Sequence, residues 1–403
     1  TALWIAEAQM MAETERMLHI DLDFLPLKAY NNIREGNALR IDWNEVVPAG
    51  ELNYIMGNPP FSGARWMGKE QKDDVLEIFG TKWPGVGDLD YVCCWYKKAT
   101  DYIKDTQIRC ALVSTNSITQ GGSVANLWKP LMEEYGVHID FAWRTFRWDS
   151  EASIKAHVHC VVIGFSTAPN SKQKIIYDSS AVAKTATNIN GYLIDSPNVA
   201  IESRKHPLCS VPEVGIGNKP IDGGFYLFSK EEKDAFIKEE PLSEMLFRPW
   251  YGAQEFINNK PRYCLWLGDC SPAELRKMPR CLERIEAVRN YRLASPSAGT
   301  VKLADKPTRF HVENMPKGKF LVIPQVSSQR RKYIPIGYMD DSVLCSDKVR
   351  IIPDATLFLF GILESNVHMA WMRAICCRLK SDYSYTINDV YNNFPWPNPS
   401  DAQ

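Results

Sequence analysis

From the first residue to about residue 165, short apolar runs alternate with stretches of helical period. That alternation leaves few folds open. Trp4-Ile5, Ala8-Gln9, Met11-Ala12 and Met17-Leu18 recur at helical spacing and predict an amphipathic helix over residues 1 to about 18. Asn32–Leu39 and Leu52–Gly57 read as short strands, Asp88–Ile103 as a helix and Ile108–Thr115 as a strand. Ala125–Tyr135 then reads as a helix, His138–Trp143 as a strand and His157–Phe165 as a strongly apolar strand. Strands alternating with helices imply an α/β sheet covered on both faces.

Beyond Ser166 the texture turns polar and turn-rich, as in Ala168-Pro-Asn-Ser-Lys-Gln-Lys, which places a boundary near residues 170–200. At 403 residues the chain exceeds the usual size of a single core. The division expected is 1–195, 196–385 and a closing segment with tail, 386–403. The class expected is an α/β, Rossmann-like sheet followed by a mixed α+β domain. The apolar runs are too short to span a bilayer. Eleven cysteines at irregular spacing fit reduced thiols in a cytoplasmic protein, and the seven histidines do not fall at ligand spacing with them, so no metal site is expected. Net charge is −1, which by itself argues against a nucleic-acid partner, but residues 276–332 hold 14 Lys and Arg against 4 Asp and Glu. That segment, with Arg276, Arg280, Arg284, Arg289, Arg292 and Arg309, reads either as a track along a phosphate backbone or as a solvated basic face.

The sharpest motif is Asn58-Pro59-Pro60-Phe61, directly after the strand 52–57. In a doubly wound sheet, ligands sit just outside the carboxyl ends of strands, where this tetrapeptide falls. An aromatic amino group is a poor nucleophile because its lone pair is delocalised into the ring. The Asn58 side-chain oxygen and the Pro59 carbonyl together offer two acceptors for its two N–H bonds, and the prolines stiffen the loop that carries them. Phe61 would stack on the base. A base in a duplex reaches such a loop only when flipped out, at a cost of about a few kcal/mol.

Asn58-Pro-Pro-Phe61 resembles the amino-methyltransferase motif of the Asn/Asp-Pro-Pro-aromatic type, and nearly the whole chain resembles the MmeI-like branch of type IIG restriction–modification enzymes. In that family one polypeptide carries nuclease, methyltransferase and target-recognition parts. The resemblance implies transfer of methyl from S-adenosylmethionine to the N6 of a flipped adenine in double-stranded DNA. Arg34-Glu-Gly-Asn37-Ala-Leu39 resembles the motif whose polar residue meets the cofactor's adenine ring, with Asn37 where Asp is commoner. Gly87-Asp88-Leu-Asp-Tyr91 resembles the motif lining the cofactor and target pocket, which assigns Asp88 and Tyr91 to cofactor binding. Val113-Ser-Thr-Asn116-Ser117 resembles the end of the next strand. Phe141-Ala-Trp-Arg-Thr-Phe146-Arg-Trp148 is similar to the motif that supplies the second face of an aromatic sandwich, by Phe146 or Trp148. Ordinary packing is the alternative for both.

The family's glycine-rich first motif does not occur in these residues, so the sheet is expected to lack at least its first strand and the isolated chain to have little catalysis. Glu70-Gln-Lys72 and Glu231-Glu-Lys233 fit half of a nuclease motif but lie in polar helical runs and read as surface. Residues of about 200–385 resemble the family's DNA-reading domain. Gln325, Gln329, Arg330, Arg331, Lys332 and Lys348 are the expected DNA contacts, to base edges or to phosphate. Tyr391-Asn-Asn-Phe-Pro-Trp-Pro397 resembles the family's closing segment, read as structural docking. The competing readings are a DNA-binding specificity module without catalysis, a protein-glutamine N5 methyltransferase using the same loop for a side-chain amide, and an N4-cytosine transferase.

Overall fold

The computed structural model describes residues 2–19, 33–149 and 157–398. Helix α1 (Ala2–Leu18) forms where the apolar spacing predicts it. A six-stranded sheet follows, built from β1 (Tyr54–Gly57), β2 (Arg109–Thr115), β3 (His138–Asp149), β4 (His157–Ser166), β5 (Lys174–Tyr177) and β6 (Ala183–Ala186). The spatial order is β1-β2-β4-β3-β5-β6. Parallel pairs β1–β2 and β3–β5 flank an antiparallel centre in which β4 lies between β2 and β3. Two helices, α2 (Lys69–Phe79) and α3 (Cys93–Tyr102), connect β1 to β2, and α4 (Lys129–Glu133) precedes β3. The parallel β1–β2 pair requires such a crossover, because parallel strands cannot be joined by a tight turn.

Three local expectations change. Residues 33–39 form no strand: the Asn37 carbonyl accepts from Arg40 N at 2.9 Å and Ile41 N at 3.2 Å, and its side-chain oxygen accepts from Leu39 N at 3.0 Å. This asparagine turn, which bonds the backbone locally, replaces the ladder a strand would need. The helix expected from Asp88 starts at Cys93, because Asp88 closes a short turn on Gly85 O. The strand expected at 138–143 runs on to Asp149, with a register shift between Trp143 and Phe146.

Along β2 burial alternates, with Cys110, Leu112 and Ser114 inward, the period-2 mark of a pleated strand. Cys110 and Leu112 join Tyr96, Trp128, Ile139, Val161 and Phe165 in a core. Each fully buried large apolar side chain of this kind contributes about 1.5–3 kcal/mol. The core continues into Leu321, Ile352, Met372, Tyr385 and Tyr391, so the C-terminal segment packs on the same apolar body as the six-stranded sheet. A separate core of Tyr226, Phe228, Trp250, Leu265 and Phe310 lies in the intervening part.

The second half is mixed α+β. It holds two four-stranded sheets, a three-stranded sheet of Val326–Ser327, Asp382–Ser384 and Cys377–Leu379, and helices that include Pro279–Leu293 and Asn366–Ile375. Its closing residues bond back to the connection after the first sheet. The Tyr391 hydroxyl donates to Pro212 O at 2.8 Å, Asn392 Nδ2 to Arg204 O at 2.8 Å and Asn393 Nδ2 to Glu202 O at 3.0 Å. All eleven cysteines are unpaired. Among the described residues no helix is long and apolar enough to cross a membrane.

Candidate active site and nucleic-acid interface

Asn58, Pro59 and Pro60 leave the carboxyl end of β1, with Pro59 buried and Asn58 exposed. They line a cavity of about 600 Å³ together with Asn37, Tyr91, Trp95 and Leu112. Asn58 is therefore brought together with Asn37 and Tyr91. Phe61 is half-buried against the core, outside that lining. Asp88 is not brought to the cavity: it lines a separate polar cleft with Arg65 and Asn126.

The motif containing Asp88 carries a different working acid. Asp90 Oδ1 accepts from Ala64 N at 2.9 Å, and its Oδ2 accepts from Ser117 Oγ at 2.5 Å. One carboxylate thereby ties the loop after β1 to the turn after β2, and Tyr91 N donating to Ser62 O at 2.9 Å adds a second tie. The sequence analysis missed Asp90, although an acid two residues from the chosen one in the same short motif was the available signal.

A second missed acid is Asp74, on the inward face of α2 and only 3% exposed. Its Oδ2 accepts from the Tyr91 hydroxyl at 2.6 Å and from Asn37 Nδ2 at 3.0 Å, and its Oδ1 from Arg40 Nε at 2.7 Å. Burial pushes the Asp74 carboxyl up, but the bonds from Tyr91, Arg40 and Asn37 outweigh it and hold the group below its ordinary value. Burial, followed by the bond to Asp74, pushes the Tyr91 hydroxyl up to about 12, so it stays a donor at neutral pH. Asn37 gives one N–H and one lone pair to this network and keeps one of each.

Phe146 and Trp148 do not line the cavity beside Asn58. They continue a row of rings, Trp143 to Phe146 at 6.3 Å and Phe146 to Trp148 at 6.1 Å between centroids. Register nevertheless puts Phe146 at the right end of the sheet. Gly57 pairs with Leu112, Thr115 with Cys160, and Cys160 with Phe146, so the β3–β4 ribbon rises from the edge where Asn58 leaves β1. Of the His157-x-His159 pair, the His157 side chain lies outside the described residues.

In the second half, Gln325 and Lys348 are neighbours across a Gln325 N to Lys348 O bond of 2.9 Å. Lys348 is exposed and pairs with Asp347 at 3.0 Å. Arg330, Arg331 and Lys332 form an exposed turn closed on Ser328, with the Lys332 ammonium over the Tyr333 ring. Gln329 lines a cleft of about 230 Å³, shared mostly with residues the sequence analysis did not single out.

Much of the basic segment 276–332 has local partners. Arg292 is fully buried and donates to the carbonyls of Pro220, Ile221, Leu303, Lys306 and Arg309. Arg280 pairs with Glu239 and Glu283, Arg309 with Glu313, and Arg284 lies over the Phe228 ring. Glu70, Lys72 and Glu231 are exposed on helices, as expected for surface residues.

Two family models match the chain: the MmeI DNA-methyltransferase domain over residues 1–178 and the MmeI target recognition domain over residues 195–398. DNA methyltransferase A of Bacillus subtilis (strain 168) is 38% identical over 399 residues, 98% of this chain and 45% of that protein. The type IIL restriction–modification enzyme MmeI, solved in complex with DNA, superposes with a TM-score of 0.91 at 43% identity, covering 100% of this chain and 54% of that one. The chain thus spans about half the length of the relatives it matches.

Proposed function

This chain belongs to the MmeI family of DNA methyltransferases carrying a target recognition domain, and from that premise we propose that it serves site-specific methylation of adenine N6 in double-stranded DNA. The observation that carries the proposal is the shared cavity of Asn58, Pro59, Pro60, Asn37 and Tyr91 at the carboxyl end of β1. In this reading residues 1–195 hold the transfer site, 196–385 read the duplex and 386–403 close the two together.

The cavity suits S-adenosylmethionine in the chemistry of its walls. Asn37 retains one N–H and one lone pair toward it, Tyr91 is fixed by Asp74, and Trp95 gives an aromatic wall. That cofactor, when bound, supplies an electrophilic methyl on a sulfonium. Asn58 Oδ1 and the Pro59 carbonyl accept the two N–H bonds of the target amino group, drawing its lone pair out of the ring and toward the methyl carbon. With that methyl supplied, the N–C bond would replace the C–S bond, the sulfur would leave as a neutral thioether and the amino proton would pass to solvent water. Asp90 contributes by fixing the loop geometry, since misplacement of about 1 Å is enough to cost about a hundredfold. Phe61 and Phe146 are the rings available to hold the extruded base.

The large second unit supports DNA over a protein glutamine as substrate. The test is binding of mixed duplex DNA across a salt series, with and without S-adenosylmethionine. Salt-sensitive binding is expected. No binding at low salt would remove the DNA reading and move the protein-substrate reading to first place.

A further inference from the structure

We propose that the cleft between the β3 bulge and the hairpin 377–384 is a built phosphate site that grips one phosphodiester of the DNA strand, with Arg144 and Arg378 as its paired cations. The proposal rests on the DNA-binding reading above. The cleft, about 230 Å³, draws Arg144 and Asn116 from the first sheet's side, and Gln329, Arg373, Arg378 and Lys380 from the second half. Against these four cations the lining supplies one acid, Asp178, whose Oδ1 already accepts from Ser180 N at 2.9 Å and Val182 N at 3.1 Å.

Arg144 is placed there by a β-bulge. Trp143 pairs with Val162 and Phe146 with Cys160, so Arg144 and Thr145 stand opposite the single residue Val161. Bulges of this kind re-aim a side chain away from the regular pleat. Arg144 has no hydrogen-bond or ion-pair partner among the described residues. Desolvation, followed by the charge of Arg378, lowers its pKa from the ordinary value, against the smaller opposing effect of Asp178. Arg378 is held rigidly: it stacks 4.1 Å over Tyr383, donates to Ser381 O at 3.2 Å, and its backbone N–H donates to Gln120 Oε1 at 2.8 Å.

A second, independent observation marks the same place. Asn116, only 9% exposed, lines the cleft, and its Nδ2 has no hydrogen-bond partner. Buried polar atoms are almost always satisfied, so an orphan donor in a cleft with four cations and one acid points to an acceptor-rich anion. A phosphate oxygen matches both, and a strand gripped there is in contact with both halves of the protein at once.

The test is a salt series of DNA affinity for the wild-type chain, Arg144→Gln and Arg144→Lys on two duplexes of unrelated sequence. Arg144→Gln is expected to bind both duplexes about five- to tenfold more weakly at 0.1 M salt, with a slope of log affinity against log salt shallower by up to about 0.9. Arg144→Lys should recover most of the slope. Thermal unfolding of Arg144→Gln should be no lower than that of the wild type, because the side chain gives up no bond. Wild-type slope in Arg144→Gln, or a loss confined to one duplex, overturns the assignment while leaving the DNA reading intact. Failure of the wild type to bind DNA overturns the reading itself. Stabilisation of the wild type by inorganic phosphate, with the DNA slope of Arg144→Gln unchanged, would instead assign the cleft to a free phosphate and overturn the DNA contact.

Discussion

The Tyr91 hydroxyl lies 2.6 Å from Asp74 Oδ2, and through that carboxylate Tyr91 is coupled to Asn37, 3.0 Å away on the same oxygen. Two residues that line the transfer cavity are thus positioned by an acid that does not line it. Replacing Asp74 by Asn keeps the volume but removes the charge that three donors share. Asp74→Asn should lower unfolding stability by about 3 kcal/mol, the scale of buried charged hydrogen bonds lost together. Urea unfolding at pH 7 reads this directly. Loss of less than about 1 kcal/mol would show that Arg40 and Tyr91 find other partners.

His368 gives the fold an acid limit. Its Nδ1 donates to Leu363 O at 2.9 Å and its Nε2 shares a hydrogen bond of 3.0 Å with the Tyr385 hydroxyl. Burial pulls its pKa down to about 4. The unfolded chain takes up the proton first, near pH 6.5, so this contribution is complete above pH 6.5 and is lost as pH falls toward 4. Its size is about 2 kcal/mol between pH 7 and 5, from the linkage of the shift. His368→Gln should therefore flatten the pH dependence of the denaturation midpoint between pH 7 and 5. An equally steep dependence in the variant would remove His368 as its source.

Arg292 separates structural from DNA-facing charge. With five bonds to backbone carbonyls and no exposure, Arg292→Met should cost about 4 kcal/mol of stability. At temperatures where the variant stays folded, its DNA salt slope should equal that of the wild type. A shallower slope would return Arg292 to the phosphate track.

Asp90→Ala should leave the fold standing but loosen the loop that follows β1, since Asp90 ties Ala64 N to Ser117 Oγ. Turnover should fall about a hundredfold while DNA affinity stays within about threefold, a split expected for a residue that positions the catalytic loop without touching substrate. Equal losses in both quantities would mark a general folding defect.

The α/β alternation was legible because period-2 and period-3.6 patterns are local, and Asn58–Phe61 was legible because its chemistry sits in four consecutive residues. Asp74, Asp90 and Arg144 were not. Asp74 is one acid among several on a polar helix, and its partners stand 37, 34 and 17 residues away. Arg144 looks like any strand residue until the bulge redirects it. The burial of Arg292 was hidden for the converse reason: linear charge density cannot register that it is enclosed by carbonyls brought from residues 220–221 and 303–309.

The central claim, that Asn58 holds the amino group being methylated, is tested most directly by nucleoside mass spectrometry of DNA treated with S-adenosylmethionine and the protein expressed from its complete gene. N6-methyladenine should appear with the wild type and fall at least about a hundredfold with Asn58→Ala, at unchanged DNA affinity. Undiminished N6-methyladenine in Asn58→Ala, or methyl found on cytosine in the wild-type product, would contradict the account.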